Sequence, residues 1–155
     1  MTRPIAILVK YCIAVLLVGL LTSADAFAKK GGTDRPFSGS AFGSLTSGPG
    51  PGEDPAGPYV LDYVLQATHM GKGTRTEFAF IEGRNIYGTQ IWTAANGDQI
   101  FVDFVATIIA PFTSEGVYTF VGGTGRFENA SGEADFIAIG GFSDVSVFFE
   151  GTLSY

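Results

Sequence analysis

The sequence predicts an all-β fold, an eight-stranded antiparallel β-barrel that follows an N-terminal signal peptide. Apolar and polar residues alternate with period two along most of the chain after residue 36, and no segment of ten or more residues has helical periodicity. The content of 22 glycines, 14 phenylalanines and 6 tyrosines also favours strands joined by tight turns. A two-sheet sandwich is the alternative, because alternation alone does not distinguish it from a closed barrel.

Residues 1–28 have the pattern of a secretory signal peptide. A basic start precedes the mostly apolar segment 5–21, and small residues favour cleavage after Ala26 or Ala28. The rival interpretation is an uncleaved membrane anchor, but the uninterrupted apolar run 13–21 is short against the roughly 20 residues of a membrane span. We therefore expect a secreted or periplasmic protein that keeps no stable membrane anchor after cleavage.

Charge and cysteine content argue against several kinds of partner. The chain has 9 Lys and Arg against 15 Asp and Glu, and without residues 1–28 the balance is 7 against 14. Such an acidic domain lacks the clustered basic residues that nucleic acids require. The only cysteine, Cys12, lies in the predicted signal peptide, and His69 is the only histidine. We therefore expect no metal site and no cofactor.

The remaining chain is expected to form a flexible lead, residues 29–36, and one barrel domain, residues 37–155. Its alternating segments predict eight strands, at 37–45, 59–67, 76–80, 85–93, 100–108, 117–121, 134–138 and 145–153.

Two connections between these strands are distinctive. Asn96-Gly97 predicts a hairpin with a type I′ turn, in which both central residues have positive φ. The segment 47–58 contains four prolines and four glycines and cannot pair as a strand. It is either a lid over the mouth of the barrel or a long surface connection.

The alternation assigns residues to the two faces of the sheet. Carboxylates fall on the more polar face of their strands, at Glu77, Asp103, Asp135 and Glu150, which favours a solvated outer surface over a pair for acid–base catalysis. The predicted core consists of apolar residues from the opposite faces, namely Leu61, Tyr63, Phe78, Phe80, Val102, Phe104, Phe136, Val147 and Phe149.

His69 is the candidate catalytic residue. Counting by twos from Tyr59 places it on the apolar face at the end of a strand. There it is either a general base at the rim of the barrel or a side chain that caps the turn at Gly71 or Gly73. The candidate ligand-binding residues are His69 and the inward aromatic residues Tyr63, Phe78, Phe104 and Phe149.

A glycine-rich run separates the sixth and seventh predicted strands and favours a tight reversal. Its glycines are expected to form this structural turn. Arg126 lies in the middle of the run and is expected to pair with Glu128 or Glu133. The residues assigned to the turn are Gly122, Gly123, Gly125, Arg126 and Gly132.

The run 122–132, Gly-Gly-Thr-Gly-Arg-Phe-Glu-Asn-Ala-Ser-Gly, resembles a signature of the dirigent and allene oxide cyclase barrel superfamily. With segments 67–71 and 93–98 it is also similar to a pattern of exported bacterial proteins of unassigned role. The resemblance implies a calycin-like barrel with an apolar cavity, and a homotrimer. In plants, dirigent proteins direct the stereochemistry of radical coupling, and allene oxide cyclases cyclise a fatty-acid epoxide.

Three functions remain open on this basis. The first is a non-enzymatic exported barrel that binds a small apolar ligand or has a structural role. It is favoured by the aromatic inner faces and by the shortage of convergent catalytic groups. The second is a cofactor-free cyclase, isomerase or dirigent-like protein that acts by confining its ligand. The third is a trimeric module that interacts through an outer sheet face.

Overall fold

The strands of the protein close into one antiparallel barrel. The computed structural model describes residues 32–141 and 143–155, so the predicted signal peptide lies outside the described residues. Each strand pairs with the next along the chain, and the last pairs with the first. The eight-stranded antiparallel barrel is therefore confirmed and the sandwich is wrong. The strands are β1 (Arg35–Ser47), β2 (Tyr59–Ala67), β3 (Gly71–Glu82), β4 (Asn85–Ala94), β5 (Gln99–Ala110), β6 (Thr113–Gly123), β7 (Gly132–Gly141) and β8 (Asp144–Leu153).

Helical structure is confined to one 3₁₀ turn, Gly125–Phe127, within the part of the chain that the structure describes. No helix in those residues is long and apolar enough to cross a membrane. Several strands are longer than their alternation predicts, most clearly β3 and β6. Apart from Ile81, their extra residues are glycines and polar residues that carry no apolar pattern but still pair with a long neighbouring strand.

The inner faces of the strands form one core. The structure buries Leu61, Tyr63, Val102, Phe104, Phe136, Val147 and Phe149, as the alternation predicts. The assignment of β3 is wrong, because Phe78 is 37% exposed and Phe80 is only half-buried. Leu61 of β2 lies directly opposite Glu77 of β3, and directly paired residues point to the same face of a sheet. Glu77 therefore points inward and Phe78 outward.

One end of the barrel is filled by aromatic rings. Phe37 packs against Phe120 at 5.3 Å and against Phe149 at 5.6 Å between ring centroids. Trp92 lies 5.0 Å from Phe149 and is fully buried. The turns β2–β3, β4–β5 and β6–β7 lie at this end, which we call the closed end.

The glycine-rich reversal packs onto the closed end. Thr124 exchanges two hydrogen bonds with Gln99 at the start of β5, and Phe127 of the 3₁₀ turn is fully buried. The predicted pairing of Arg126 with Glu128 or Glu133 is wrong, because its Nε lies 3.6 Å from Oδ2 of Asp98. The 3₁₀ turn directs Arg126 towards the neighbouring β4–β5 turn and away from its own segment.

Gly125 makes this contact between the two turns feasible. Its φ is 58°, and a Cβ at this position would overlap the carboxylate of Asp98. The remaining glycines assigned to the reversal lie at the strand ends, with Gly122 and Gly123 in β6 and Gly132 in β7.

The Asn96-Gly97 hairpin is present between β4 and β5, but its turn is not type I′. Gly97 has a φ of 89°, whereas Asn96 is not among the residues with positive φ. The turn is closed by the Gly97 amide donating to the Ala94 carbonyl at 2.9 Å. The Asn96 side chain donates to Asp98 at 2.8 Å, so its amide stabilises the turn without a left-handed backbone.

Candidate functional site

A cavity of about 300 Å³ occupies the barrel at the end opposite the aromatic rings. We call this end the mouth, because the β1–β2, β3–β4, β5–β6 and β7–β8 connections lie there. The segment 48–58, with its prolines and glycines, is the longest of these connections. Most of the cavity wall is apolar and includes Leu61, Ile86, Phe104, Ile108, Phe136 and Val147.

Polar side chains form the floor of the cavity. They are Tyr63, Arg75, Glu77 and Tyr118, which all line the cavity and are all buried. Arg75 and Glu77 belong to β3 and are two residues apart, so both point to the inside of the barrel. The Arg75 Nη2 donates to Glu77 Oε2 at 2.9 Å, and Nη1 donates to the Tyr118 hydroxyl at 2.8 Å.

Glu77 is held from its other side by β4. Gln90 lies directly opposite Glu77 in the β3–β4 register, and its Nε2 donates to Glu77 Oε2 at 2.8 Å. The Trp92 indole donates to Gln90 Oε1 at 2.7 Å. Because the indole is only a donor, this bond fixes the Gln90 amide with its NH₂ group towards Glu77. The floor is therefore a continuous hydrogen-bonded chain from the aromatic core to the cavity.

The Tyr63 ring on β2 packs against the guanidinium group of Arg75. The Arg75 guanidinium carbon lies 3.7 Å from the centroid of the Tyr63 ring, which is the geometry of a cation–π contact. The Tyr63 ring packs directly on the backbone of β1, where a Cβ at Gly43 would overlap it. Gly43 and Tyr63 are paired positions of β1 and β2, so the register provides this close approach.

Burial shifts the acid–base properties of the floor. Desolvation raises the pKa of Glu77 above its usual value of 4.5, although Arg75, Gln90 and Tyr63 each act in the opposite direction. Burial also raises the pKa of Tyr118 to about 12 and raises that of Tyr63, so both phenols are neutral near pH 7. For Arg75, burial acts to lower the pKa, but Tyr118 and Glu77 outweigh it and the guanidinium remains protonated.

This arrangement can bind a polar group and move a proton. The Nε–H of Arg75 is buried and has no hydrogen-bond partner among the described residues. Glu77 lines the cavity and accepts hydrogen bonds from Arg75 and Gln90 through the same oxygen, Oε2. The described residues contain no group of three or more His, Cys, Asp or Glu side chains that could hold a metal ion.

The predicted ligand-binding residues are not all brought together. Tyr63 and Phe104 line the cavity. Phe149 belongs instead to the aromatic packing at the closed end, and Phe78 lies on the outer face of β3. Only two of these aromatic residues therefore line the cavity itself.

His69 lies at the closed end, in the β2–β3 turn, with a φ of 65°. Its Nε2 is 3.1 Å from the carbonyl oxygen of Pro36, and its ring is 5.9 Å from that of Tyr155. Because β3 begins beside His69 and ends at the mouth, the length of that strand separates His69 from the mouth.

Sequence reasoning missed Arg75, Gln90, Trp92 and Tyr118, and it assigned Glu77 to the wrong face. The available signal was the pair of opposite charges two residues apart on one strand, since such charges can neutralise each other inside a barrel. That signal was masked by Phe78 and Phe80, which made the other face of β3 look like the core.

Comparisons with known proteins agree with this architecture. No family model and no curated protein matches the sequence. The pterocarpan synthase dirigent protein GePTS1 is similar in structure, with a TM-score of 0.54 and 13% identity, over 81% of this chain and 86% of that one. The pterocarpan synthase dirigent protein PsPTS1 gives a TM-score of 0.51 and 15% identity, over 80% of this chain and 97% of that one. At these identities the likeness concerns the fold alone, which is a barrel similar to those of the two dirigent proteins.

Proposed function

We propose that the barrel binds one small, largely apolar molecule in its cavity and holds a hydroxyl or carbonyl group of that molecule against the floor. The observation that carries this proposal is the buried Arg75–Glu77 ion pair, which lines a mostly apolar cavity and in which the Arg75 Nε–H has no hydrogen-bond partner among the described residues. A neutral oxygen accepts from the guanidinium and, if it is a hydroxyl, donates to the carboxylate. A ligand carboxylate is disfavoured because it would face the charge of Glu77.

Ligand binding can be tested with 2-naphthol, a two-ring alcohol, by fluorescence titration. Ala106 is buried and lines the cavity, whereas its neighbour Val105 points outward and is 62% exposed. We expect Ala106→Trp to fill the cavity and abolish binding, and Val105→Trp to leave binding unchanged. We also expect 2-naphthol to bind more tightly than naphthalene. Equal binding by parent protein and Ala106→Trp would place the probe elsewhere and refute the proposal.

Proton transfer by Glu77 is a second candidate function, in line with a cofactor-free cyclase, isomerase or dirigent-like protein. The observation that favours it is a carboxyl group of raised pKa that lines an apolar cavity. The similar solved structures are named as synthase dirigent proteins, which supports a reaction of a confined ligand.

A general test substrate can show whether Glu77 acts as a base. 5-Nitrobenzisoxazole loses its C3 proton to a base while its N–O bond breaks, which gives a nitrile and a phenolate. We expect the protein to accelerate this opening and the rate to rise with pH through the raised pKa of Glu77. Glu77→Gln should remove the acceleration, and Asp103→Asn, on the exposed outer face, should not. Equal rates for the two variants would exclude Glu77 as the base.

We further propose self-association through an outer apolar belt. Directly paired outward positions on four adjacent strands hold Phe80, Tyr87, Val105 and Val117. Val105 is 62% and Tyr87 is 36% exposed, and adjacent exposed apolar residues can form an interaction surface. Val105→Lys should weaken association, measured by sedimentation or native mass spectrometry. Val64→Lys, at a site on β2 that is 68% exposed, is the control. An identical oligomeric state in the parent and Val105→Lys would oppose this interface.

A further inference from the structure

Phe112 has an unfavourable conformation at the mouth of the barrel. Ala110 and Thr113 are paired across the β5–β6 hairpin, so Pro111 and Phe112 form a two-residue turn. Phe112 has a φ of 59°, and proline cannot adopt positive φ. A positive φ at the second central residue only is typical of a type II turn, where glycine or asparagine is usual. A phenylalanine in this position is strained, since its Cβ crowds the backbone.

The Phe112 side chain is largely exposed to solvent. Its exposed fraction is 72%, the largest among the large apolar residues that the structure describes as exposed. At the same time Phe112 lines the cavity. The ring therefore lies where the apolar cavity meets solvent, and its exposed surface would be covered by a ligand that fills the cavity.

Contacts with β7 hold the Pro111–Phe112 turn at the mouth of the barrel. The Gly140 amide of β7 donates to the Phe112 carbonyl at 2.8 Å, which ties the β5–β6 turn to the neighbouring hairpin. A Cβ at Gly141 would lie 3.6 Å from the Phe112 ring, which is ordinary van der Waals contact, so the ring lies next to Gly141. The backbone of Phe112 is thus anchored to β7, and its ring lies beside Gly141 at the mouth.

We infer that Phe112 is the specificity-determining residue that covers the bound ligand at the mouth and limits its length. This inference rests on the proposed binding of a small apolar ligand in the cavity. The strain follows from the placement of an aromatic ring at a turn position that otherwise favours glycine. The ring limits ligand length because a longer molecule anchored at Arg75 and Glu77 would have to displace it.

The experiment compares the parent protein with Phe112→Gly and with Phe148→Ala, a control that removes an exposed ring from the outer face. Dissociation of 2-naphthol is measured by stopped-flow fluorescence, and affinity is measured for 2-naphthol and for the longer 6-phenyl-2-naphthol. We expect Phe112→Gly to release 2-naphthol at least tenfold faster and to bind the longer probe more tightly than the parent. Its melting temperature should be equal to or above that of the parent, because glycine removes the strain. Phe148→Ala should change neither rate nor preference.

The outcomes separate this inference from the proposed function. If the parent binds 2-naphthol and Ala106→Trp abolishes binding, but Phe112→Gly changes neither release nor preference, the role of Phe112 is refuted and cavity binding stands. If the parent does not bind 2-naphthol, both are refuted. A marked fall in the melting temperature of Phe112→Gly would show that the ring is a packing element, and would also overturn the inference.

Discussion

Arg75 and Glu77 are charges that the barrel interior tolerates only as a pair. Each loses its hydration on burial, and the direct ion pair, the Tyr118 hydroxyl and the Gln90 amide replace part of it. The compensation is incomplete, since the Nε–H of Arg75 has no partner among the described residues and the pKa of Glu77 is raised. The floor of the cavity therefore retains a polar group that could form another hydrogen bond, and its incomplete compensation lowers the stability of the folded protein.

Loss of one member of the Arg75–Glu77 pair should destabilise the folded protein. Arg75→Met leaves Glu77 buried without its cation, which should cost about 3–5 kcal/mol near pH 8. A carboxyl group whose pKa is raised on folding contributes stability below its unfolded pKa and loses it as pH rises through the folded pKa. Removing Arg75 raises the pKa of Glu77 further, so the cost should be smaller at pH 5 than at pH 8.

Urea unfolding of the parent and Arg75→Met at both pH values measures this difference. The double variant Arg75→Met/Glu77→Gln carries no charge at the floor. It should recover part of the lost free energy at pH 8 and lose the extra pH dependence. A cost for Arg75→Met that is equal at pH 5 and pH 8 would contradict a buried, ionisable Glu77.

At the scale of the element, the inward face of β3 is set by its neighbours rather than by its own hydrophobicity. The β2–β3 hairpin pairs Ala67 with Gly71, and the register then places Leu61 opposite Glu77. Because β2 has an unambiguous apolar face, β3 must bury Glu77 and Ala79 and expose Phe78. A strand with mixed faces thus takes its orientation from the hairpin.

The orientation of β3 can be checked with two matched substitutions. Phe78→Ala removes an outward ring and should cost under about 1 kcal/mol, as for other surface changes. Phe104→Ala removes a buried ring of the cavity wall and should lower the free energy of unfolding by about 3–5 kcal/mol. Chemical denaturation of both variants gives the comparison. Equal losses would mean that Phe78 faces the core.

The β4–β5 turn and the glycine-rich reversal are a second pair of coupled elements. Asp98 accepts from Asn96 and lies 3.6 Å from Arg126, but both charged side chains are partly exposed. Solvent screening keeps such an ion pair weak. Asp98→Ala should therefore cost only about 1 kcal/mol, mainly through the lost turn hydrogen bond.

Thermal unfolding of Asp98→Ala and of Arg126→Ala shows whether the turn hydrogen bond or the ion pair contributes more to stability. If the turn hydrogen bond dominates, the aspartate variant should lose more stability than the arginine variant. A larger loss in Arg126→Ala would assign the coupling to the ion pair instead.

On the scale of the whole molecule, closure removes every free strand edge from the sheet. β1 pairs with β8 from Arg35 to Gly43 and with β2 from Gly39 to Ser47, so the first and last strands of the barrel support each other. A closed sheet protects its hydrogen-bonded amides from solvent and from edge-to-edge association. No cysteine follows Cys12, so disulfides cannot contribute to the stability of this domain.

Closure predicts uniform protection in amide hydrogen exchange. Amides in the middle of β1 and β8 should exchange as slowly as those of β4 and β5, since all four strands are paired on both sides. Mass spectrometry of peptides from the four strands measures this. Markedly faster exchange confined to β1 and β8 would indicate that the barrel opens at this seam.

The alternating pattern by itself determined the number of strands, the inward residues of β2, β5 and β8, and the position of the Asn96-Gly97 hairpin. These features are local, because side chains alternate with period two and turns require particular residues. The glycine run at 122–132 also pointed to the dirigent-like barrel, through a resemblance rather than through periodicity.

Only the tertiary structure decided the candidate site. Neither face of β3 is uniformly apolar, so the burial of Arg75 and Glu77 depends on the register with β2 and on partners from β4 and β6. The separation of His69 from the mouth likewise follows from the direction of the strands around the closed barrel. Both are long-range properties, since they arise from residues that are distant in the chain and meet only when the sheet closes.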